Sequence, residues 1–129
     1  MQPSVLVVDD EADLAATCVR LLHRHGYNVV SAGTRRQALE TLASGQYDLV
    51  VTDLRLPDGD GLDVVRAARA LALPRPVVVI TGFGSAQARQ QALASGASAF
   101  LPKPFVLTEF ADLVDRLLPS KSRAARPRA

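Results

Sequence analysis

Val5-Leu6-Val7-Val8-Asp9-Asp10 decides how the rest of the chain is read. Its apolar residues do not alternate with polar ones, so the segment suits a strand buried on both faces, and two carboxylates then arrive at its end. Val77-Val78-Val79-Ile80-Thr81 has the same form and ends in a hydroxyl. Working outward, further short β-branched runs fall at 28–31, 49–52 and 99–101. Segments with helical spacing lie between them. Leu14, Cys18, Leu21 and Leu22 make one apolar stripe, and Gly26 is placed to end that helix. Thr34 with Gln37 has the capping-box spacing for a second, with Ala38 and Leu42 inward and Gly45 beyond. A third runs over about 62–71, where Pro74 and Pro76 prevent its continuation. Ser85 is placed to cap a fourth, which ends near Gly96, and Thr108 to cap a fifth carrying Phe110, Leu113, Val114 and Leu117. Five strands alternating with five helices predict an α/β fold with a parallel sheet covered on both faces.

The 129 residues suit one domain, and 48% hydrophobic with 22% charged is an ordinary globular balance. No apolar run approaches the roughly 20 residues of a membrane span. Met1-Gln2-Pro3-Ser4 carries no basic residue ahead of the apolar run, so no signal peptide is expected. A single cysteine allows no intrachain disulfide and is consistent with the cytoplasm. The net charge of +2 is unevenly distributed. Lys121, Arg123, Arg126 and Arg128 crowd into 119–129 without an acid, which leaves residues 1–118 with 11 basic and 13 acidic groups. The expected division is a domain over 1–118 and a flexible basic tail or linker start over 119–129. The folded body is not expected to bind nucleic acid.

In open α/β sheets ligands bind beyond the carboxyl ends of the strands. Asp9 and Asp10 follow the first strand, Asp53 ends the third, Thr81 ends the fourth and Lys103 follows the fifth. Four of the five strand ends therefore carry a group able to hold a metal or an oxyanion. Val8-Asp9-Asp10-Glu11, the run from Val51 to Gly61, Ile80-Thr81-Gly82 and Leu101-Pro102-Lys103-Pro104-Phe105 occur in that order. Together they resemble the receiver domains of two-component response regulators, over roughly residues 5–118. Thr81-Gly82-Phe83-Gly84-Ser85 and Lys103-Pro104-Phe105 look most like receivers of the nitrogen-regulation type of transcription activator.

The resemblance implies a flavodoxin-like (βα)5 sheet with strand order 2-1-3-4-5. It implies that Asp53 accepts a phosphoryl group from a sensor histidine kinase or histidine phosphotransfer protein. Asp10 and Asp53 would ligate Mg²⁺, or Mn²⁺ in its place, with Asp9 acting mainly through water and the backbone carbonyl of Arg55 completing the set. Mg²⁺ usually takes only one or two carboxylates directly and keeps several waters. A cation there would relieve the mutual repulsion of three carboxylates and keep Asp53 ionised. By the same resemblance Lys103 and Thr81 would contact phosphoryl oxygens, and Gly82 would bring a backbone N–H to them. Lys103-Pro104 would be a cis peptide that aims the lysine inward. Thr81 and Phe100 would form the switch that alters the surface of the fourth helix, fifth strand and fifth helix, for partner binding or homodimerisation. The chain would catalyse only its own phosphorylation and dephosphorylation.

Simpler readings exist for single residues. Asp9-Asp10-Glu11 alone suits a helix N-terminus. Cys18 falls on the apolar stripe and reads as packing. His23 and His25, two apart, point to different faces and read as exposed residues at a helix C-terminus. Asp58 and Asp60 read as solvated turn residues. An aspartyl-phosphate phosphohydrolase would want an acid two residues after the nucleophile, and Arg55 stands there instead. No Gly-x-Gly-x-x-Gly or Gly-x-x-x-x-Gly-Lys loop follows the first strand. Arg55 and Phe83 would border the path of hydrolytic water and tune the phosphoryl lifetime.

Overall fold

The computed structural model describes residues 2–118 apart from Gln46, Ala72 and Phe83, so the expectations for Phe83 and for 119–129 lie outside the described residues. In chain order the elements are β1 (Ser4–Val8), α1 (Ala12–Arg24), β2 (Asn28–Ala32), α2 (Arg35–Ser44), β3 (Leu49–Asp53), β4 (Arg55–Leu56), β5 (Gly59–Asp60), α3 (Leu62–Arg69), β6 (Val77–Thr81), α4 (Ala86–Ala94), β7 (Ala99–Pro102) and α5 (Leu107–Leu117). One parallel sheet has the order β2-β1-β3-β6-β7. With β6 and β7 as the fourth and fifth sequence-predicted strands, this is the doubly wound 2-1-3-4-5 order. β4 and β5 form a two-rung antiparallel hairpin that the sequence reading treated only as a turn.

Every residue of β3 and β6 is buried, and so is all of β1 after Ser4. These central strands are the runs without polar alternation. Leu6, Val8, Val50, Val77 and Val79 face a core closed by Ala38 and Leu42 of α2, Val64, Val65 and Ala68 of α3, and Ala92 of α4. Val5, Val7, Leu49, Val51, Val78 and Ile80 face the opposite core, closed by Cys18 and Leu22 of α1 and Phe110 and Val114 of α5. Helices therefore cover both faces. None of the described helices is long and apolar enough to cross a membrane.

The helix ends follow local chemistry with three departures. Thr34 Oγ1 accepts the Gln37 N–H at 3.0 Å, but the Gln37 side chain accepts from Gly33 rather than from Thr34 itself. Ser85 Oγ accepts the Ala88 N–H at 3.0 Å, as its position suggested. Gly26 takes φ +92 after α1, the left-handed geometry that a helix stop favours. Thr108, in contrast, is not the cap of α5. That helix begins at Leu107 with Val106 at its N-cap. The cause is a hydrophobic staple: Phe105, just before the cap, packs on Phe110 four positions into the helix, with ring centroids 5.4 Å apart.

His25 is the second departure, since it is half-buried, with Nδ1 3.3 Å from Asp115 Oδ2 on α5. Tyr27, fully buried, donates its hydroxyl to the other oxygen of Asp115 at 2.5 Å. Asp115 thus ties the α1–β2 junction to α5. Asp58 and Asp60 are the third. Both are exposed, yet Asp58 Oδ1 and Oδ2 accept the N–H groups of Arg35 (2.7 Å) and Arg36 (2.9 Å), and Asp60 Oδ1 accepts from Leu62 (2.8 Å). They cap α2 and α3 because an acceptor beside unpaired N–H groups gains more than one left in water.

Candidate functional site

β1, β3 and β6 run parallel, so their carboxyl ends deliver Asp9, Asp53 and Thr81 to one edge of the sheet. All three are buried, while Asp10, one residue beyond the strand, is exposed. Asp9, Asp10 and Asp53 each offer an oxygen within 4.8 Å of the others. Asp53 is oriented from both sides. Its Oδ1 accepts the Arg55 N–H at 3.2 Å, and its Oδ2 accepts from Lys103 Nζ at 2.7 Å. The first contact folds the chain back so that the Arg55 backbone borders the site.

Lys103 reaches in from the β7–α5 loop. Its N–H donates to the Thr81 carbonyl at 2.8 Å, and its peptide bond with Pro104 is cis. The ammonium lies 2.7 Å from Asp53, 2.9 Å from Asp9 Oδ2 and 2.6 Å from Glu11 Oε1. Burial works against that charge, but the carboxylates of Asp53, Glu11 and Asp9 outweigh it and hold the Lys103 pKa above its ordinary value. The Asp9 pKa is raised as well, which for a carboxylate favours the neutral form. Burial pushes its pKa up more than the Glu11 N–H and Lys103 pull it down. Its Oδ2 is fully buried and, despite the nearby ammonium, receives no directional hydrogen bond. Four acids around one lysine leave an excess of negative charge. Hard oxygen donors, a crowd of carboxylates and a buried Asp9 oxygen whose ammonium partner is shared with two other acids together suit a small divalent cation.

Glu11 was read only as a helix-cap acid. Its proximity to Asp9-Asp10 was the available signal, but the contact with Lys103 spans 92 residues and has no local signature. In the sequence Gly61 figures only as the end of the run from Val51. A Cβ built on it would lie 1.8 Å from the Asp53 carbonyl oxygen, so the backbone of residue 61 rests directly on the end of β3. At Gly82 the same Cβ would meet nothing within 4 Å, so the protein's own packing does not demand a glycine there. Phe100 is half-buried against the α2/α3/α4 core and approaches the β6–α4 loop, where a Cβ on Gly84 would sit 3.6 Å from its ring. Burial raises the Cys18 thiol to about 11, which fits packing rather than nucleophilic chemistry.

The family model of the response regulator receiver domain matches residues 5–115, which include every residue of this site. The chain belongs to that family. Among curated relatives of this receiver domain, the transcriptional regulatory protein PrrA of Mycobacterium tuberculosis is 37% identical over 123 residues, covering 95% of this chain and 53% of PrrA. The response regulator protein PilR of Pseudomonas aeruginosa is 41% identical over 109 residues, covering 84% of this chain and 24% of PilR. The non-phosphorylated HemR receiver domain from Leptospira biflexa superimposes with a TM-score of 0.84 at 33% identity, covering 99% of this chain and 98% of that one. The receiver thus spans about half the length of PrrA. A receiver domain is a signalling module of two-component systems rather than an enzyme of external substrates, in keeping with Arg55 where a phosphohydrolase would want an acid.

Proposed function

We propose that Asp53 of this receiver accepts a phosphoryl group from a phosphohistidine on a sensor histidine kinase or histidine phosphotransfer protein in the cytoplasm. A single observation carries the reading: Asp53 is buried, ionically paired with Lys103, and grouped with Asp9 and Asp10 at the carboxyl edge of the sheet. An Asp53 carboxylate oxygen attacks phosphorus, the phosphorus–nitrogen bond breaks, and the imidazole leaves with its electron pair and takes up a proton. Lys103 neutralises one phosphoryl oxygen, the Thr81 hydroxyl donates to another, and the Gly82 N–H approaches a third. Such transfer depends on positioning and charge neutralisation rather than on further covalent help. Asp10, Asp53, the Arg55 carbonyl and, through water, Asp9 would hold Mg²⁺ or Mn²⁺, which supplies positive charge to the transferring group. Water attack on the phosphorus of the acyl phosphate then returns Asp53 as a carboxylate and releases inorganic phosphate, so the chain resets itself without other turnover.

A groove of about 470 Å³ beside Lys103, lined by Leu14, Thr17, Phe105 and Leu107 among others, gives the donor protein a surface next to the acceptor. Output goes through the Thr81–Phe100 pair to the face of α4, β7 and α5, which then binds a partner or a second copy of the chain. Incubating the protein with a small phosphodonor and Mg²⁺ tests the reading. A hydroxylamine-labile label should appear on Asp53 and vanish in Asp53→Asn; an unlabelled wild-type protein would refute it.

A further inference from the structure

Arg35, the first residue of α2, holds the loop after β3 in three ways. Its N–H and that of Arg36 donate to the two oxygens of Asp58, at the tip of the β4–β5 hairpin. Its Nε donates to Asp63 Oδ2, in the first turn of α3, at 2.8 Å. Its aliphatic stem lies over Gly59, where an added Cβ would be 2.6 Å from Arg35 Cδ. The Arg36 N–H, joined by that of Arg35, holds the Asp58 carboxyl below the usual carboxylate range. The hairpin itself pairs Arg55 with Asp60 and Leu56 with Gly59. The segment 55–63 is therefore fixed at its tip and at its exit, and both anchors are on α2.

Arg55 forms the first rung of this hairpin, and its backbone borders the acidic group. We infer that the Asp58–Arg35 clamp is a positioning device for the metal site, holding the Arg55 backbone where its carbonyl meets the cation. The inference rests on the proposed metal reading. A loop that must be ordered upon binding weakens affinity by the fraction of time it is out of place, and a loop ordered beforehand does not. Asp58 thus acts through Arg55 without touching the cation, and the N-terminus of α2 becomes part of the site's support.

Two caps on one helix permit a clean test. Thr34→Ala removes the Thr34–Gln37 cap of α2 and leaves the hairpin alone; Asp58→Ala removes the other cap together with the hairpin's anchor. Both should lower the melting temperature in EDTA. Magnesium titrations followed by backbone amide shifts should give a dissociation constant about three- to tenfold weaker for Asp58→Ala and unchanged for Thr34→Ala. Asp58→Asn keeps one acceptor oxygen without the charge, should fall between Asp58→Ala and wild type, and serves if the alanine variant folds poorly. Equal affinities in all variants would overturn the inference, and so would equal weakening in Thr34→Ala and Asp58→Ala, because helix stability alone would then explain the loss. If wild type fails to bind Mg²⁺, the metal reading itself is wrong and the clamp has no cation to serve.

Discussion

Replacing Gly61 by alanine should damage both stability and the acceptor. The backbone of Gly61 is right-handed helical, φ −65 and ψ −17, so alanine meets no conformational objection there. The objection is purely steric. The new methyl would lie 1.8 Å from the Asp53 carbonyl oxygen, 2.8 Å from the Asp53 carbonyl carbon and 2.9 Å from Leu54 Cα. All three are backbone atoms, so no rotamer change relieves the contact, and either β3 or the start of α3 must move. Overpacking of this kind costs about 1–3 kcal/mol. Separating the two segments also threatens the 2.7 Å hydrogen bond from the Gly61 N–H to the Leu54 carbonyl. Its loss would add about 1 kcal/mol. The loss of glycine's flexibility in the unfolded chain returns roughly 0.4–1 kcal/mol. A net loss of about 1–3.5 kcal/mol remains, and at roughly 4 °C per kcal/mol for a domain of this size the melting temperature should fall by about 4–14 °C.

The assay is thermal unfolding by circular dichroism, with Gly82→Ala as the matched control. A Cβ at residue 82 meets nothing within 4 Å, so that variant should stay close to wild type. At temperatures where Gly61→Ala remains folded, labelling of Asp53 by a small phosphodonor should still be slower, because the displaced carbonyl belongs to the acceptor. A Gly61→Ala melting temperature within about 2 °C of wild type would refute the close approach and the argument built on it.

Asp9→Asn should raise the melting temperature in EDTA while weakening Mg²⁺ binding. The raised pKa of Asp9 means that the folded protein holds that proton more tightly than the unfolded chain, so metal-free stability falls as the pH rises from the ordinary carboxylate range through the folded value. Asparagine should flatten that segment of a melting-temperature-against-pH curve. Lys103→Met leaves Asp9, Glu11 and Asp53 facing one another without their ammonium. It should cost about 1–3 kcal/mol in EDTA, and Mg²⁺ should restore more stability to the variant than it adds to wild type, as paired melts would show. Tyr27→Phe removes a buried hydroxyl bonded to Asp115. Denaturant unfolding should show a loss of about 1–2 kcal/mol, with Asp53 labelling unchanged because the contact lies away from the site.

The fold was legible because the three central strands are apolar on both faces, and a doubly covered parallel sheet leaves few other arrangements for such runs. The acidic group was legible because strand ends in such a sheet converge, so Asp9, Asp53 and Thr81 announce a common edge. Contacts that depend on tertiary approach were not. Asp58 meets Arg35 across 23 residues, and nothing in Pro57-Asp58-Gly59 separates a helix-capping acid from a solvated turn. Tyr27 finds Asp115 across 88 residues. Thr108 failed as a cap because local chemistry gave way to packing: the Phe105–Phe110 staple starts α5 two residues earlier.

The supports of the site are unevenly distributed, and that unevenness favours one route for the proposed switch. On the β3 side the acceptor is braced by Gly61, by the hairpin and by α3, which buries Leu62, Val64, Val65 and Ala68. On the β6 side, Thr81 leads into α4, which buries only Ala92. Arg89 of α4 makes no ion pair among the described residues. α3 gives four buried apolar side chains to the core and α4 only Ala92, so displacing α4 gives up less of the helix's own buried apolar surface than displacing α3. A phosphoryl group drawing on Lys103 and Thr81 pulls on two residues already joined by the bond between the Lys103 N–H and the Thr81 carbonyl. The β6 and β7 ends would therefore respond together, and Phe100 of β7 lies against Gly84 in the loop that leads into α4. Moving the least anchored helix costs the least, so the phosphorylation signal should emerge at α4 rather than at α3.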